Sequence, residues 1–306
     1  DTDTDADWDG YLHPDSIWYQ RIDGETKDPT SDAVIADLAA HGWGLGRAQI
    51  DLSFEVFEAD DDTPLRTFDP TGDFYRPDCD EVPIPVPTDA QLEGEDGLAC
   101  HSDGDCHLIV VDRSARKLYE MWRADIRGDQ FDGGCLAVWE MDRAYGETLR
   151  GDQCTSADAA GYPIAPLLVT SDEVASGEIR HALRFILPNS AIRAAEYVRP
   201  ATHSTGAASG GPSAPPYGVR LRLRADYPLE SLPNDASRTV AVALQRYGMF
   251  LADGGQVLFT FQNDTNNTAK WADLMGTRDL DALQVTDFEV MPMSTPIPLT
   301  YDCVRE

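Results

Sequence analysis

Three histidines stand at the ends of segments that the sequence predicts to be strands. His107 and His181 each begin such a segment, and His203 follows a third. Neutral imidazole is a common zinc ligand and a common general acid or base. If the strand ends meet at one rim, these side chains predict a divalent-metal site, with Asp158 or Glu120 as a fourth ligand, or an acid–base site. The sequence has no HxH or HExxH spacing, so the alternative is three hydrogen-bonded structural histidines.

Carboxylates beside aromatic rings form a second candidate site. Glu140 and Asp142 occupy alternate positions of the segment WEMD, and Glu120 lies within YEMW. Two carboxyl groups and an aromatic surface are what a glycosidase requires, with one group as acid and the other as nucleophile or base. Because the chain has 54 acidic residues, the alternative for Glu140 and Asp142 is a solvated strand face.

A lyase-like set lies within one short segment. Tyr197 and Arg199 share a strand face because side chains alternate along a strand, and His203 follows closely. In a polysaccharide lyase, Arg can neutralise a uronate carboxylate while Tyr or His removes the adjacent proton. The alternative is a packed tyrosine ring and an arginine paired with an acidic side chain.

A serine nucleophile is a weaker candidate. Ser156 and Asp158 lie in TSADAAG, and His181 or His203 would have to act as the base. The sequence contains no GxSxG elbow, so these small residues also fit a tight structural loop.

The net charge of −30, from 54 Asp and Glu against 24 Lys and Arg, restricts the possible partners. Such a surface repels nucleic-acid phosphates and anionic lipid surfaces, so we expect no nucleic-acid binding and no membrane insertion. A neutral or cationic ligand is easier to admit than a polyanion. Two segments have acidic spacing of the kind that binds calcium, DADWDG from Asp5 and DGD from Asp103. The first lacks the terminal Glu of an EF-hand loop and is interpreted as linker.

The cysteines predict an oxidising compartment. An even number of cysteines without a CxxC motif is typical of disulfides and not of a zinc ribbon. We expect Cys100–Cys106, because a short turn containing Gly104 can bring these two together. Cys135–Cys154 would then bridge a local excursion, and Cys79–Cys303 would tie the carboxyl-terminal tail to the body of the protein.

The residue pattern predicts one β-rich domain, a β-sandwich or jelly roll with a few short helices, over residues 16–306. Residues 1–15 are interpreted as the remnant of an acidic linker that follows a removed export signal. Helices are predicted over residues 30–41, ended by Gly42, and 236–251, capped by Asp235. Strands are predicted over residues 48–57, 107–112, 117–122, 135–141, 181–187, 196–199, 218–224 and 256–262.

Several of these segments resemble a widespread, functionally uncharacterised group of secreted bacterial proteins. The resemblance is carried by TSADAAGYPIAPLLVTSDEVASGEIRHALRFILP, YVRPATHS, PPYGVRLRL and ALQRYGMFLADGG, and it covers nearly all of the chain after the linker. It implies secretion, a single long β-rich domain and an association with carbohydrate-related modules. It supplies no catalytic residues.

The leading hypothesis is an extracellular enzyme that hydrolyses or eliminates a polysaccharide, acting as a monomer. Its candidate catalytic residues are His181, His203, Asp158, Glu120, Tyr197 and Arg199. A non-catalytic module that binds glycan or cell surface is the first alternative. A protein that binds Zn²⁺ or Ca²⁺ through His107, His181 and His203 is the second.

Overall fold

A computed structural model describes residues 10–306 except Tyr75 and Asp103, and for Asp51 and Leu52 it describes the backbone alone. Strands make up 25% of the residues and helices 16%, which confirms the predicted mostly β fold with few helices. The helices are α1 (Ser31–His41), α2 (Ser171–Ser176) and α3 (Asp235–Arg246). The strands, in chain order, are β1 (Ala48–Phe54), β2 (Val56–Ala59), β3 (Leu65–Arg66), β4 (Asp69–Pro70), β5 (Ile84–Pro85), β6 (Leu108–Asp112), β7 (Lys117–Trp122), β8 (Asp125–Arg127), β9 (Gln130–Gly133), β10 (Cys135–Glu140), β11 (Gly151–Asp152), β12 (Leu183–Leu187), β13 (Glu196–Tyr197), β14 (Arg220–Leu223), β15 (Met249–Gly254), β16 (Phe259–Gln262), β17 (Phe288–Val290), β18 (Ile297–Pro298) and β19 (Val304–Arg305).

The largest sheet has six strands in the order β1-β16-β12-β15-β14-β17. The pairs β1/β16 and β12/β15 are parallel, and the other pairs are antiparallel. The parallel pairs are joined by long excursions of the chain, so they were not evident from the strand pattern. The predicted strand over residues 48–57 is divided at Glu55, and its two parts, β1 and β2, join different sheets.

The second sheet, β10-β7-β6-β2, lies between two hydrophobic cores. Along β6, Ile109 and Val111 enter the main core, whereas Leu108 and Val110 enter a smaller one. Side chains alternate between the two faces of a strand, so one apolar run serves both cores. The predicted hairpin of β6 and β7 is confirmed, with Val110 opposite Tyr119.

The helices show which local signals were decisive. Helix α1 begins after Thr30 and ends at Gly42, whose φ of 72° suits glycine, as predicted. Helix α3 begins one residue earlier than predicted, because the Asn234 side chain, not that of Asp235, accepts a hydrogen bond from the Ser237 amide at 2.8 Å.

The predicted end of the second helix is wrong by a whole turn. Helix α3 ends at Arg246, and Gly248, with φ of 68°, reverses the chain into β15. A Cβ at Gly248 would overlap the carbonyl oxygen of Leu221, so only glycine fits this turn. The apolar residues after it are therefore strand residues.

The disulfides are Cys79–Cys135, Cys100–Cys106 and Cys154–Cys303. The Cys100–Cys106 pairing is confirmed, and the predicted pairings Cys135–Cys154 and Cys79–Cys303 are wrong. Sequence distance gave the wrong answer because β11 and β19 pair in one small sheet and bring Cys154 and Cys303 together across 149 residues, while Cys79 lies beside Cys135, the first residue of β10. Three disulfides are typical of an oxidising compartment. None of the helices in the described part of the chain has the length and apolarity that a membrane span requires.

Candidate active site

Glu120 of β7 is a sealed structural carboxylate and not a catalytic or metal-binding one. Its side chain faces the main core and is fully buried. The backbone amides of Ile164 and Ala165 donate to it at 2.8 Å, and Trp139 Nε1 donates at 3.0 Å. Burial raises the pKa of Glu120 to about 7, against the lowering effect of these donors. These three donors satisfy the buried carboxylate, and none of the Glu120 side chain is exposed to solvent.

Asp158 is also sealed, but it organises the floor of a cavity. Arg184 of β12 donates to its two carboxylate oxygens, through Nη2 at 2.8 Å and Nε at 3.2 Å. Both side chains are at most 2% exposed. Burial alone would lower the pKa of Arg184, but the charge and hydrogen bonds of Asp158 outweigh it and raise that pKa. Burial raises the pKa of Asp158, against the lowering effect of the charge and hydrogen bonds of Arg184. The pair is bidentate, so Asp158 holds the Arg184 guanidinium in place.

Asp253 is a second carboxyl group beside this pair, and its Oδ1 accepts a hydrogen bond from the Gly254 amide at 2.6 Å. In β12 and β15, Phe185 pairs with Leu251 and Ile186 pairs with Asp253, so Ala252 is an extra residue that forms a β-bulge. Bulges re-aim side chains, and here the bulge directs Asp253 towards Arg184, whose Nη2 lies 4.0 Å away. The Asp253 side chain is 26% exposed. Burial, followed by the charge of Asp158, raises the pKa of Asp253 to about 8.

Asp253 lies on the wall of a cavity of about 430 Å³, which we call the Asp253 cavity. Its polar lining includes Asp105, Asn189, His203 and Tyr217. Its aromatic lining consists of Phe74, Trp122, Tyr217 and Tyr301. Among the described residues that line it, none is lysine or arginine.

Asp105 is the exposed carboxylate of the cavity. The Cys100–Cys106 disulfide closes the small loop that carries it, and Trp122 Nε1 donates to its Oδ1 at 2.8 Å. The Trp122 ring in turn contacts the Phe74 ring edge-on at 5.5 Å and has the Arg123 guanidinium over it at 5.3 Å. Asp105 and Asp253 therefore face one cavity, and the charge of Asp105 contributes to the raised pKa of Asp253.

Tyr217 supplies a buried hydroxyl to the same cavity. Its side chain is fully buried, and the hydroxyl lies near that of Thr205. Neither hydroxyl makes a hydrogen bond of normal geometry within the protein. Burial raises the pKa of Tyr217 well above its ordinary value, so the phenol stays protonated. A buried polar group without a partner is uncommon, and a ligand hydroxyl would satisfy it.

Two of the three predicted histidines lie near Asp158. His203 lines the Asp253 cavity, and its Nδ1 contacts the carbonyl oxygen of Ala159 at 3.0 Å. Burial lowers the pKa of His203, so it is neutral at pH 7. His107 contacts Glu93 through Nδ1 at 2.6 Å and the carbonyl oxygen of Ala157 through Nε2 at 2.9 Å. Burial alone would lower the pKa of His107, but Glu93 outweighs it and raises that pKa to about 9.

His181 lies elsewhere, in a polar groove of about 820 Å³ that we call the His181 groove. Its Nδ1 contacts the carbonyl oxygen of Ala182 at 2.8 Å, and its Nε2 contacts Glu173 at 3.1 Å. Glu173 also forms a capping box with Thr170 at the start of α2, a helix that the sequence analysis did not predict, and both residues line the groove. The prediction of His181 as a residue of the cavity is therefore wrong.

The three histidines do not form a metal site. Both ring nitrogens of His107 and of His181 already contact protein atoms. The groups of three or more potential ligands found in the described residues contain no histidine, and each consists of one carboxylate and two disulfide-bonded cysteines. Of the calcium candidates, Asp5 and Asp103 lie outside the described residues.

The lyase-like set is not assembled at the cavity. Tyr197 is fully buried, and Arg199 Nη1 pairs with Asp152 at 2.5 Å. Neither lines the Asp253 cavity, where only His203 of this set is found. Strand β13 has two residues, so Arg199 lies beyond it, and the alternation that placed it on the face of Tyr197 does not apply.

Glu140, Asp142 and Ser156 have the structural roles that the sequence analysis gave as alternatives. Glu140 and Asp142 are exposed and pair with Lys117 at 3.5 Å and Arg116 at 2.8 Å, as expected for a solvated strand face. Ser156 donates to the carbonyl oxygen of Tyr162 at 2.6 Å and stabilises a tight loop.

Sequence reasoning missed Asp253, Tyr217 and Trp122, and considered Asp105 for calcium alone. One signal was available for Asp253. It directly follows four buried residues of the segment MFLADGG, where an isolated carboxylate ends an apolar strand. No comparable signal marked Tyr217 or Trp122, because buried and half-buried aromatic residues are common in strands.

Comparisons of this chain with models of protein families, with curated proteins and with solved structures gave no match. The resemblance to a group of secreted bacterial proteins therefore stays a prediction.

Proposed function

We propose that this protein is an extracellular enzyme that hydrolyses a glycan in the Asp253 cavity. The observation that carries the proposal is that two carboxyl groups, those of the largely buried Asp253 and of the exposed Asp105, lie on the wall of one aromatic-lined cavity. Burial raises the pKa of Asp253 to about 8. Glycoside hydrolysis uses two such groups in different protonation states.

Asp253 acts as the general acid. A pKa of about 8 keeps its carboxyl group protonated at neutral pH, and its partial exposure lets it reach a ligand. It donates its proton to the glycosidic oxygen as the bond between that oxygen and the anomeric carbon breaks. Arg184 is a positioning residue. Asp158 accepts two hydrogen bonds from its guanidinium and holds it beside Asp253, and Arg184 donates no proton to the substrate.

Asp105 acts as the base. It accepts a proton from the water that attacks the anomeric carbon, while Trp122 holds it through the hydrogen bond from Nε1. The rings of Trp122 and Tyr301, the latter 57% exposed, offer apolar faces to a sugar ring. A lyase is less well supported, since the residues described at the cavity wall include no Arg or Lys to neutralise a uronate.

The test is a panel of neutral, cationic and anionic polysaccharides with detection of new reducing ends and of unsaturated products. Wild-type protein is expected to release reducing ends from at least one glycan. Asp253→Asn is expected to lower kcat/KM by about 100-fold or more, because it removes the acid proton and keeps the shape. Asp62→Asn, the same substitution on an exposed turn, is the control and should leave the rate unchanged.

Three outcomes contradict the proposal: no turnover by folded wild-type protein on any glycan of the panel, full activity of Asp253→Asn, or unsaturated products. Glycan retention without any product would instead favour a non-catalytic binding module. Thermal melting of each variant separates loss of activity from loss of fold.

A further inference from the structure

The fixed charge at the mouth of the Asp253 cavity is negative. Asp105 is exposed there, and the only basic side chain that lines the cavity within the described residues is His203, which is neutral at pH 7. The Arg184 guanidinium lies beneath the wall, where Asp158 neutralises it. The Arg123 guanidinium lies over the Trp122 ring but does not line the cavity. Among the described lining residues, an anionic group would therefore meet Asp105 without a compensating cation.

A second, independent feature indicates a polar ligand. The Tyr217 hydroxyl is buried at the cavity wall and has no hydrogen bond of normal geometry within the protein. Burial of such a group without a partner is costly, so a ligand that presents hydroxyl groups to it is favoured. Tyr217 therefore fits a sugar hydroxyl, and Asp105 is left to select a charged substituent.

The side chains around Asp105 suit an ammonium group. Oδ1 of Asp105 accepts from Trp122 Nε1 at 2.8 Å, which fixes the carboxylate next to an aromatic ring, and no described side chain hydrogen-bonds to Oδ2. A primary ammonium group is attracted both by a carboxylate and by an aromatic face. The net charge of −30 attracts such a ligand from solution as well.

We infer that the Asp253 cavity is selective for sugars that carry a free amino group, with the ammonium group bound on the Oδ1 side of Asp105, beside Trp122, and a ring hydroxyl at Tyr217. Oδ2 of Asp105 then stays open to accept the proton of the attacking water. The substrate class is a glycan of 2-amino-2-deoxy sugars that is at least partly deacetylated. This inference rests on the proposed glycan hydrolysis and specifies its substrate.

The experiment measures binding calorimetrically in an Asp253→Asn host, which prevents turnover. Because the Asp253 carboxyl group is protonated at neutral pH, asparagine keeps both its shape and its charge. The probes are oligomers of glucosamine and of galactosamine, each paired with its N-acetylated form, which differs in charge and not in backbone. In at least one pair, the free amine is expected to bind about tenfold more tightly at low salt, and the advantage should shrink at 0.5 M NaCl, where screening is strong.

Two further variants in the same host locate the effect. Adding Asp105→Asn should lower the affinity for the amine about three- to fivefold and leave the N-acetylated partner within twofold, as expected for one partly exposed ion pair. Adding Asp62→Asn removes the same charge away from the cavity and should change neither affinity.

The two proposals fail in distinguishable ways. Equal affinity for the amine and its acetylated form in both pairs, or tighter binding of the acetylated form, overturns the selectivity for amines. An Asp105→Asn variant that still prefers the amine to the acetylated form by the same factor also overturns the selectivity. If wild-type protein still hydrolyses a neutral glycan in that case, the proposed hydrolase stands and only its substrate class is wrong.

Discussion

The Asp253 cavity and the His181 groove each have a buried ion pair, but they differ in whether another carboxyl group shares the buried cation. In the groove, His181 and Glu173 satisfy each other, and the neighbouring Arg113 pairs with Glu58 at 3.0 Å. In the cavity, Arg184 and Asp158 satisfy each other, and a second carboxyl group, Asp253, remains beside them. The cavity, although it is the smaller of the two, therefore has two acids beside one buried cation. Unmatched titratable groups mark candidate functional sites better than cavity size does.

The ion pairs also differ in how they respond to pH. Arginine does not titrate in the physiological range, so the charge of Arg184 is constant there. The His181–Glu173 pair is charged only while His181 is protonated. Each prediction below is a way to break or sharpen this contrast.

The largest expected effect is the loss of the fixed ion pair. Arg184→Met leaves the buried Asp158 without its partner and should lower the free energy of unfolding by about 3–5 kcal/mol. Urea denaturation measures it. Arg116→Met is the control, because it breaks an exposed pair with Asp142 and should cost under about 1 kcal/mol.

The double variant Arg184→Met with Asp158→Leu tests the cause. It removes both charges and should recover most of the lost stability. A double variant as unstable as Arg184→Met alone would show that packing, and not the unpaired charge, accounts for the loss.

The second effect is the loss of the titratable pair. Glu173→Gln should lower the free energy of unfolding by about 2 kcal/mol, less than a sealed pair because Glu173 is 32% exposed. Burial alone would raise the pKa of Glu173 and lower that of His181, but each partner outweighs it, so the pKa of Glu173 is lowered and that of His181 is raised.

The pH dependence of this loss follows from those directions. Because the pKa of His181 is raised in the folded protein, the contribution of His181 to stability is complete below the unfolded pKa of 6.5. This contribution is lost as pH rises through the folded pKa. Because the pKa of Glu173 is lowered in the folded protein, the contribution of Glu173 to stability is complete above the unfolded pKa of 4.5 and is lost as pH falls through the folded pKa. The difference between wild type and Glu173→Gln should therefore be largest between pH 4.5 and 6.5 and shrink in alkali. A difference that grows towards pH 9 would contradict the pairing, and turnover per folded molecule should be unchanged throughout.

The third effect is on catalysis and belongs to the cavity alone. The proposed acid, Asp253, must be protonated, so kcat/KM should fall above pH 8 and reach about one tenth of its plateau near pH 9. A pH–rate profile on the best glycan of the panel measures it. In Glu173→Gln the fall of kcat/KM above pH 8 should be the same, because the groove does not touch Asp253. A fall at a different pH would show that the two regions are coupled.

The smallest effect concerns the aromatic wall. Trp122→Ala removes a ring face and the donor to Asp105, and should raise KM about fivefold, or about 1 kcal/mol. Tyr11→Ala, which removes a ring from the wall of the groove, should leave KM unaltered. Equal changes in KM from the two substitutions would remove the distinction between cavity and groove.

Local signals in the sequence determined much of the fold. Alternating apolar residues identified β6, β7 and β10, and Gly42 identified the end of α1, because these features depend on nearest neighbours along the chain. The short Cys100–Cys106 bridge was predictable for the same reason. Asp158 and His203, two of the candidates from the sequence, line one cavity.

Tertiary structure alone decided the site. Which carboxylate is sealed and which is open depends on partners far along the chain: Arg184 is 26 residues from Asp158, and Trp139 is 19 residues from Glu120. A bulge in β15 aims Asp253, and a sheet register is set by contacts between strands and not by the residues of one strand. The sequence could present 54 acidic residues as candidates, but desolvation and pairing, which select among them, exist only once the chain is folded.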